Sequence, residues 1–336
     1  MDSLTQLTLG AAVGLAAMGR RTAPWKAALW GAVAGTLPDL DVFIDHGDPI
    51  RNMVLHRAET HAPFWLTLFS LPFAALVARI HGEWDRWRGW WLALWLALVT
   101  HPLLDGMTVY GTQLGLPFTD HPYAAGSIFI IDPLYTVPLI VGVVWALGSA
   151  NAGRGRAANL AALALSTAYL GWGVAAQMHV DGVARRSLAA QGITAERLLV
   201  TPTAFNTVLW RVVAIDGAHY HEGFRSLLDE KPAMHFDRFE RGSALAAELR
   251  GDDGVQRIQA FSHGFWAMWE RDGTLGIVDL RMGQEPDYSF RFAVAARQSA
   301  PVPLPAPKQV GSRPDLERGL AWLWRRALGE PIAPPR

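Results

Sequence analysis

The sequence predicts an α-helical membrane bundle of about six apolar helices followed by a soluble α+β domain. Apolar stretches recur through the first half of the 336 residues, and the turns between them carry basic residues in alternation. After Gln177 the pattern changes: charge density rises, and short β-branched and aromatic runs alternate with Asp-Gly turns. These observations predict a membrane-embedded domain over 1–176 and an outer domain over 177–336. Hydrophobic residues make up 51% and charged residues 18%, more apolar than an average soluble chain. The formal net charge is zero, so no nucleic-acid partner is expected. Cysteine is absent, which excludes disulfides and thiolate sites and leaves His, Asp, Glu or backbone to hold any metal.

The first apolar stretch, 7–18, has no Lys or Arg before it and so lacks the basic flank of a signal peptide. Gly10, Gly14 and several alanines predict a helix packed closely against others. Further stretches span 27–37, closed by Pro38, then 64–80, 90–104, 128–147 and 157–176. Two approach the length a bilayer requires, and the others suit the inside of a bundle. Trp84, Trp87, Trp90, Trp91 and Trp95 resemble an interfacial aromatic belt, which favours a membrane over buried helices of a soluble protein.

Orientation follows from the turns. Arg20, Arg21, Lys26, Arg79, Arg86, Arg88, Arg154 and Arg156 fall after the odd-numbered stretches, whereas only Arg51 and Arg57 follow the even ones. The positive-inside rule makes the first set cytoplasmic, so the chemistry-bearing motifs and everything after 176 lie outside.

In the outer domain, strands are expected at 198–200, 207–215, 257–261, 265–269, 275–280 and 289–295, with hairpin turns at Asp216-Gly217 and Asp272-Gly273. Helices are expected at 183–190 and 243–249, and a Pro-rich linker at 301–307 precedes an amphipathic helix over 316–328.

Three motifs carry metal chemistry. In His101-Pro-Leu-Leu-Asp105, a helix starting at Pro102 puts His101 at its N-cap and Asp105 one turn along the same face. The pair can share one ion, or simply cap backbone groups. In Pro38-Asp39-Leu40-Asp41, an extended backbone points both carboxylates the same way, where they repel unless a cation or proton separates them. In His56-Arg57-Ala58-Glu59-Thr60-His61, the imidazoles can converge from a helix end and its following loop, and Arg57 is a fixed cation suited to phosphate or carboxylate. Asp120 and His121 are further loop candidates, and Asp132 falls inside the fifth stretch, where a carboxylate needs a partner. His219 and His221 share one strand face, which fits a solvated surface. No phosphate loop, nucleophile elbow or HExxH occurs.

With Met1-Asp-Ser-Leu-Thr-Gln6, these motifs make the first half of the chain resemble the YdjM-like family of bacterial inner-membrane proteins, described as membrane-bound metal-dependent hydrolases. The second half resembles the extension of longer members. A distant relation to zinc-dependent phospholipase C and P1-type nucleases implies a multi-zinc site of His and Asp ligands acting on phosphoesters. Gln6 stands where many members carry a histidine, which removes one candidate ligand.

The expectation is therefore a zinc-dependent hydrolase of the cytoplasmic membrane, multi-pass, acting on a phosphoester or lipid-linked substrate through metal-activated water. Its ligands would be Asp39, Asp41, His56, His61, His101 and Asp105. Asp39 and Asp105 offer a general base, and Arg57 would hold the anion. The competing expectation is a non-catalytic membrane protein with a structural or ion-carrying metal site, its soluble domain serving as a binding module.

Overall fold

The structure, a computed structural model, describes residues 1–311 and 315–336. The chain forms two compact units: Met1–Phe43, Arg57–Val174 and Ala204–Asn206 make the first, and Ile44–His56, Ala175–Thr203 and Thr207–Arg336 the second.

The first unit is helical. Its elements are α1 (Ser3–Met18), α2 (Pro24–Thr36), α4 (Pro63–Ile80), α5 (Trp87–Gly106), α6 (Pro133–Gly148) and the first part of α7 (Ala152–Ala190), while α3 (Pro49–Leu55) belongs to the second unit. Each apolar stretch expected from the sequence is helical over most of its length, although 128–132 precede α6. Asp2 caps α1 by accepting from Thr5 N at 3.1 Å. Small residues then let α1 lie directly on α2: a Cβ added at Gly10 would strike the Gly31 carbonyl, and one at Gly31 the Gly10 carbonyl. Met18, Ala34, Ala74, Val77, Trp90, Leu94 and Leu98 are buried where α1, α2, α4 and α5 meet.

The five tryptophans expected in a belt divide: Trp84 is exposed and stacks on Trp87. Trp90 is fully buried, while the indoles of Trp91 and Trp95 donate to Ser70 Oγ at 3.0 Å and Thr67 Oγ1 at 2.9 Å on α4. Buried indole N–H groups need partners, and here they tie α5 antiparallel to α4.

The expectation of about six spans is corrected to two. Among the described residues, only α4 and α7 are long and apolar enough to cross a membrane. The helices α1 and α6 have 16 residues each, or about 24 Å at 1.5 Å per residue, short of a hydrocarbon core of about 30 Å. Helix α5 has the length, at 20 residues, but opens on Arg88 and closes on His101 and Asp105.

The second unit contains two four-stranded antiparallel sheets. One has the order β1 (Arg197–Pro202), β2 (Leu209–Asp216), β3 (His219–Ser226), β4 (Asp237–Glu240). The other runs β10 (Pro301–Gln309), β9 (Arg291–Arg297), β6 (Thr274–Asp279), β5 (Trp266–Arg271), beside a small hairpin of β7 (Gly283–Gln284) and β8 (Asp287–Tyr288). Val213, Ile215 and Tyr220 of one sheet pack against Phe265, Ala267, Val278 and Leu280 beside the other. Val180, Ala184 and Leu188, late in α7, cover the first sheet at Trp210 and Val212. The helix α10 (Leu316–Ala327) sets Trp322 against Phe224, and α8 (Ser243–Glu248) and α9 (Asp253–Phe261) complete the unit.

Two sequence expectations fail here. Residues 257–261 belong to α9, because Asp252 caps Val255 N at 2.9 Å and Val255, Ile258 and Phe261 are buried at helical spacing. The Pro-rich 301–307 is strand β10, tolerated because β10 is a sheet edge with a register shift between Pro303 and Lys308.

Gly10→Leu should melt well below the parent in detergent, since backbone must move to admit the side chain; the expected cost is at least about 1–3 kcal/mol. Gly148→Ala, where an added Cβ meets nothing, should melt with the parent. Equal melting of Gly10→Leu and parent would refute the close α1–α2 contact.

Candidate metal centre

Asp39, His61, His101 and Asp105 each turn one donor atom into a common space in the first unit. Pro38 ends α2 and begins a 3-10 turn, Pro38–Phe43, that carries Asp39. At three residues per turn, positions two apart diverge, so Asp39 and Asp41 do not point the same way as an extended segment would have placed them. His61 closes the 3-10 turn Glu59–His61, just before Pro63 starts α4. His101 and Asp105 lie one turn apart near the end of α5. The helix runs through Pro102 rather than starting there. Burial of Leu94, Ala97, Leu98 and Leu104 holds it to the core despite the backbone bond the proline forfeits.

The distances suit donors grouped around one cation. His61 Nε2 and His101 Nε2 are 3.1 Å apart. Asp39 Oδ1 is 3.4 Å from each imidazole nitrogen, and Asp105 Oδ2 is also 3.4 Å from each. Zinc bonds of about 2.0–2.2 Å would place tetrahedral donors roughly 3.3–3.6 Å apart.

The outer hydrogen bonds orient the donors. His101 Nδ1 lies 2.7 Å from the Gly35 carbonyl, which can only accept, so Nδ1 carries the proton and Nε2 turns a lone pair inward. Thr60 Oγ1 donates to Asp41 Oδ2 at 2.8 Å and so accepts from His61 Nδ1 at 2.9 Å, leaving His61 in the same tautomer. Asp41, expected as a ligand, stands on the far side of His61, 3.5 Å from Nδ1. Its carboxylate orients that ring, as carboxylates behind metal-bound histidines do.

Asp105 divides its two oxygens. Oδ1 pairs with the Met1 ammonium and accepts from Gln6 Nε2 at 3.0 Å. Oδ2, fully buried, makes no hydrogen bond. Two facing lone pairs and a buried carboxylate oxygen, met on one side by the Arg57 guanidinium at 3.2 Å, fit a cation among them. Zinc suits this nitrogen and oxygen donor set, but the geometry does not name the metal.

Without a cation, a proton takes that space. Burial opposes charge on His61, but the facing Asp105, Asp39 and Asp41 outweigh it and raise its pKa to about 9. Burial also opposes charge on Asp39, yet His101 and His61 hold its carboxyl well below the usual range.

Arg57 is 2% exposed, with Nε 3.2 Å from Asp105 Oδ2, Nη1 donating to Thr108 Oγ1 at 3.3 Å, and its guanidinium 4.8 Å from the Tyr110 ring centroid. Its φ of 66° is left-handed. Hydrogen bonds to Asp41 from its N–H and from Gln113 N to its carbonyl, both 3.0 Å, hold that strained backbone.

Other sequence candidates lie elsewhere. His56 ends α3 in the second unit. Asp120 and His121 sit on an exposed loop, where His121 meets Tyr123 edge-on. Asp132 caps α6 instead of lying within it, accepting from Leu134 N and the Tyr169 hydroxyl, each at 3.0 Å. His219 faces Glu240 at 3.0 Å, while His221, expected on a solvated face, is buried and faces Asp216 at 3.5 Å, with no donor cluster there among the described residues. Sequence reasoning missed Thr60, the Gly35 carbonyl and the Gln6 amide as the groups that aim the donors. Only Thr60 carried a signal, standing directly before His61.

Fold and site together define a helical protein with apolar spans, a two-histidine, two-aspartate centre and an appended antiparallel-sheet unit. The chain belongs to the YdjM inner membrane protein family, whose model matches residues 1–180. Its similarity extends to the uncharacterized protein YfhP of Bacillus subtilis (strain 168), 24% identical over 309 residues, covering 86% of this chain and 89% of that one. No solved structure matches.

Because His61 holds a proton up to about pH 9, metal must displace it. Uptake at pH 7 should release about one proton per ion, and affinity should rise from pH 6 toward 9 and then level. Binding enthalpies compared across buffers would measure this; pH-independent affinity would exclude His61 as a ligand.

Proposed function

We propose that this protein is a membrane-bound, metal-dependent hydrolase in which Asp39, His61, His101 and Asp105 hold one divalent ion, zinc by the chemistry of the donors. The observation that carries the reading is the convergence of Asp39, Asp105 and two inward imidazole lone pairs on one buried space, with Asp105 Oδ2 3.4 Å from both imidazole nitrogens as well as 3.2 Å from Arg57 Nε. The bound ion would polarise an anionic substrate oxygen and acidify water. Asp41 and Gly35 hold the two imidazoles in register. Arg57 balances the carboxylate charge and presents a guanidinium beside the centre for a phosphoester or lipid-linked anion. Asp39, whose side chain is 21% exposed, is the donor open to an incoming ligand, and its second oxygen would take the proton from attacking water.

The sidedness proposed is an extracytoplasmic centre and second unit. Arg79 ends α4 and Arg154 and Arg156 open α7, so the positive-inside rule puts those ends in the cytoplasm and the opposite ends outside. The bilayer is then the partner of α4 and α7, and no nucleic-acid partner is proposed.

A second reading has its own support. Four protein donors are enough to fill a tetrahedral zinc shell and Arg57 is nearly inaccessible, as in structural sites that keep no open position.

Metal analysis of detergent-purified protein comes first. Zinc in the parent and its loss from a folded His101→Ala/Asp105→Ala variant would support the centre; a parent that stays metal-free after zinc is supplied refutes it. With zinc bound, a generic phosphodiester such as bis(4-nitrophenyl) phosphate should turn over, and Asp39→Asn should reduce the rate by about 10²–10⁴-fold. Zinc that raises the melting temperature without any turnover would favour the structural reading.

Sidedness is tested in this cysteine-free chain. An impermeant maleimide applied outside intact cells should label Asp272→Cys and spare Arg154→Cys. The reverse pattern would invert the orientation.

A further inference from the structure

The accessible edge of the metal centre is apolar. Asp39 is the least buried of its four donors, and its neighbours on the same 3-10 turn, Leu40, Val42 and Phe43, are 52%, 67% and 82% exposed. Asp39 and Asp41 approach different nitrogens of His61, whereas these three side chains stand exposed. Phe118, also 82% exposed, meets Phe64 edge-on with centroids 5.7 Å apart. Its loop is tied to the centre through the hydrogen bond from Gln113 N to the Arg57 carbonyl.

Phe64 and Trp65 open α4, and that candidate span carries Leu68, Phe69, Leu71 and Leu76 on its exposed surface. Phe118 is thus continuous, through its contact with Phe64, with the surface of a helix fit to lie in lipid. The level agrees. Helix α4 has 18 residues, about 27 Å, close to the thickness of a hydrocarbon core. His61 precedes its first residue by two positions, and His101 and Asp105 end its antiparallel partner α5. The centre therefore stands at one end of a span, where hydrocarbon gives way to headgroups.

We propose that Leu40, Val42, Phe43 and Phe118 form a lip seated among lipid acyl chains, so that the Asp39 edge of the centre opens at the bilayer boundary and its ligand arrives from the membrane. The word ligand rests on the four residues being a metal centre; the seating of the lip does not. Apolar side chains this exposed would be a liability in water and are stabilised in acyl chains.

The absence of cysteine makes the test clean. Val42→Cys, Phe43→Cys and Phe118→Cys are spin-labelled singly and reconstituted into vesicles of phosphatidylethanolamine and phosphatidylglycerol. Leu68→Cys on α4 and Asp272→Cys on the second unit serve as lipid and water references. Collision with oxygen relative to a water-soluble nickel chelate should be several-fold higher at 42, 43 and 118 than at 272, and should approach the value at 68. Labels at 42 and 43 that meet the nickel chelate as freely as at 272 would overturn the proposal. So would labels shielded from both probes, which would mean that protein, such as a second copy of this chain, covers the lip. Zinc content measured on the same samples separates the two readings: a parent without zinc removes the metal centre and leaves the depth result standing.

Discussion

Two imidazole nitrogens facing each other at 3.1 Å, with two carboxylate oxygens 3.4 Å from both, cannot persist in a buried place without positive charge between them. An unsatisfied buried polar atom costs about 1–3 kcal/mol, and more when charged. The rest of the first unit is arranged so that this cost is met by a cation or, in its absence, by a proton. Arg57 and the Met1 ammonium lean on Asp105, Asp41 stands behind His61, and a backbone carbonyl fixes His101.

The close contact of α1 and α2 is part of the same device. Glycines let the two helices touch backbone to backbone. That contact positions the Gly35 carbonyl for His101 Nδ1 and brings the Gln6 amide against Asp105 Oδ1. Gln6 works as a hydrogen-bond donor behind Asp105, one of the four converging residues. The packing of helices and the tautomers of histidines are therefore one problem, solved by residues with no chemistry of their own.

The second unit has a different internal economy. Its sheets meet over aromatic and branched side chains, and a buried Arg211 spans them, bonding Glu222 at 2.7 Å, the Leu280 carbonyl at 2.7 Å and the Tyr288 hydroxyl at 3.2 Å. Burial opposes the charge of Arg211, but Glu222 and its other neighbours outweigh it and keep the guanidinium firmly protonated. Such a satisfied network rigidifies a core and specifies its packing.

The sequence by itself determined the helical first half, the hairpins at Asp216-Gly217 and Asp272-Gly273, and the His and Asp residues from which the centre is built, because periodicity, turn chemistry and donor type are local properties. Tertiary structure decided which donors converge. Asp39 and Asp41 part because the segment after Pro38 winds into a 3-10 turn, and His56 leaves the set because it ends a helix of the other unit. Arg257 to Phe261 became helix and the prolines after 300 became an edge strand because burial and sheet position outweighed propensity. Of the groups that aim the donors, the threonine hydroxyl stood beside His61 in the chain, but the glycine carbonyl and the glutamine amide were illegible in one dimension. Their roles are set by distances across helices, and no residue type announces those.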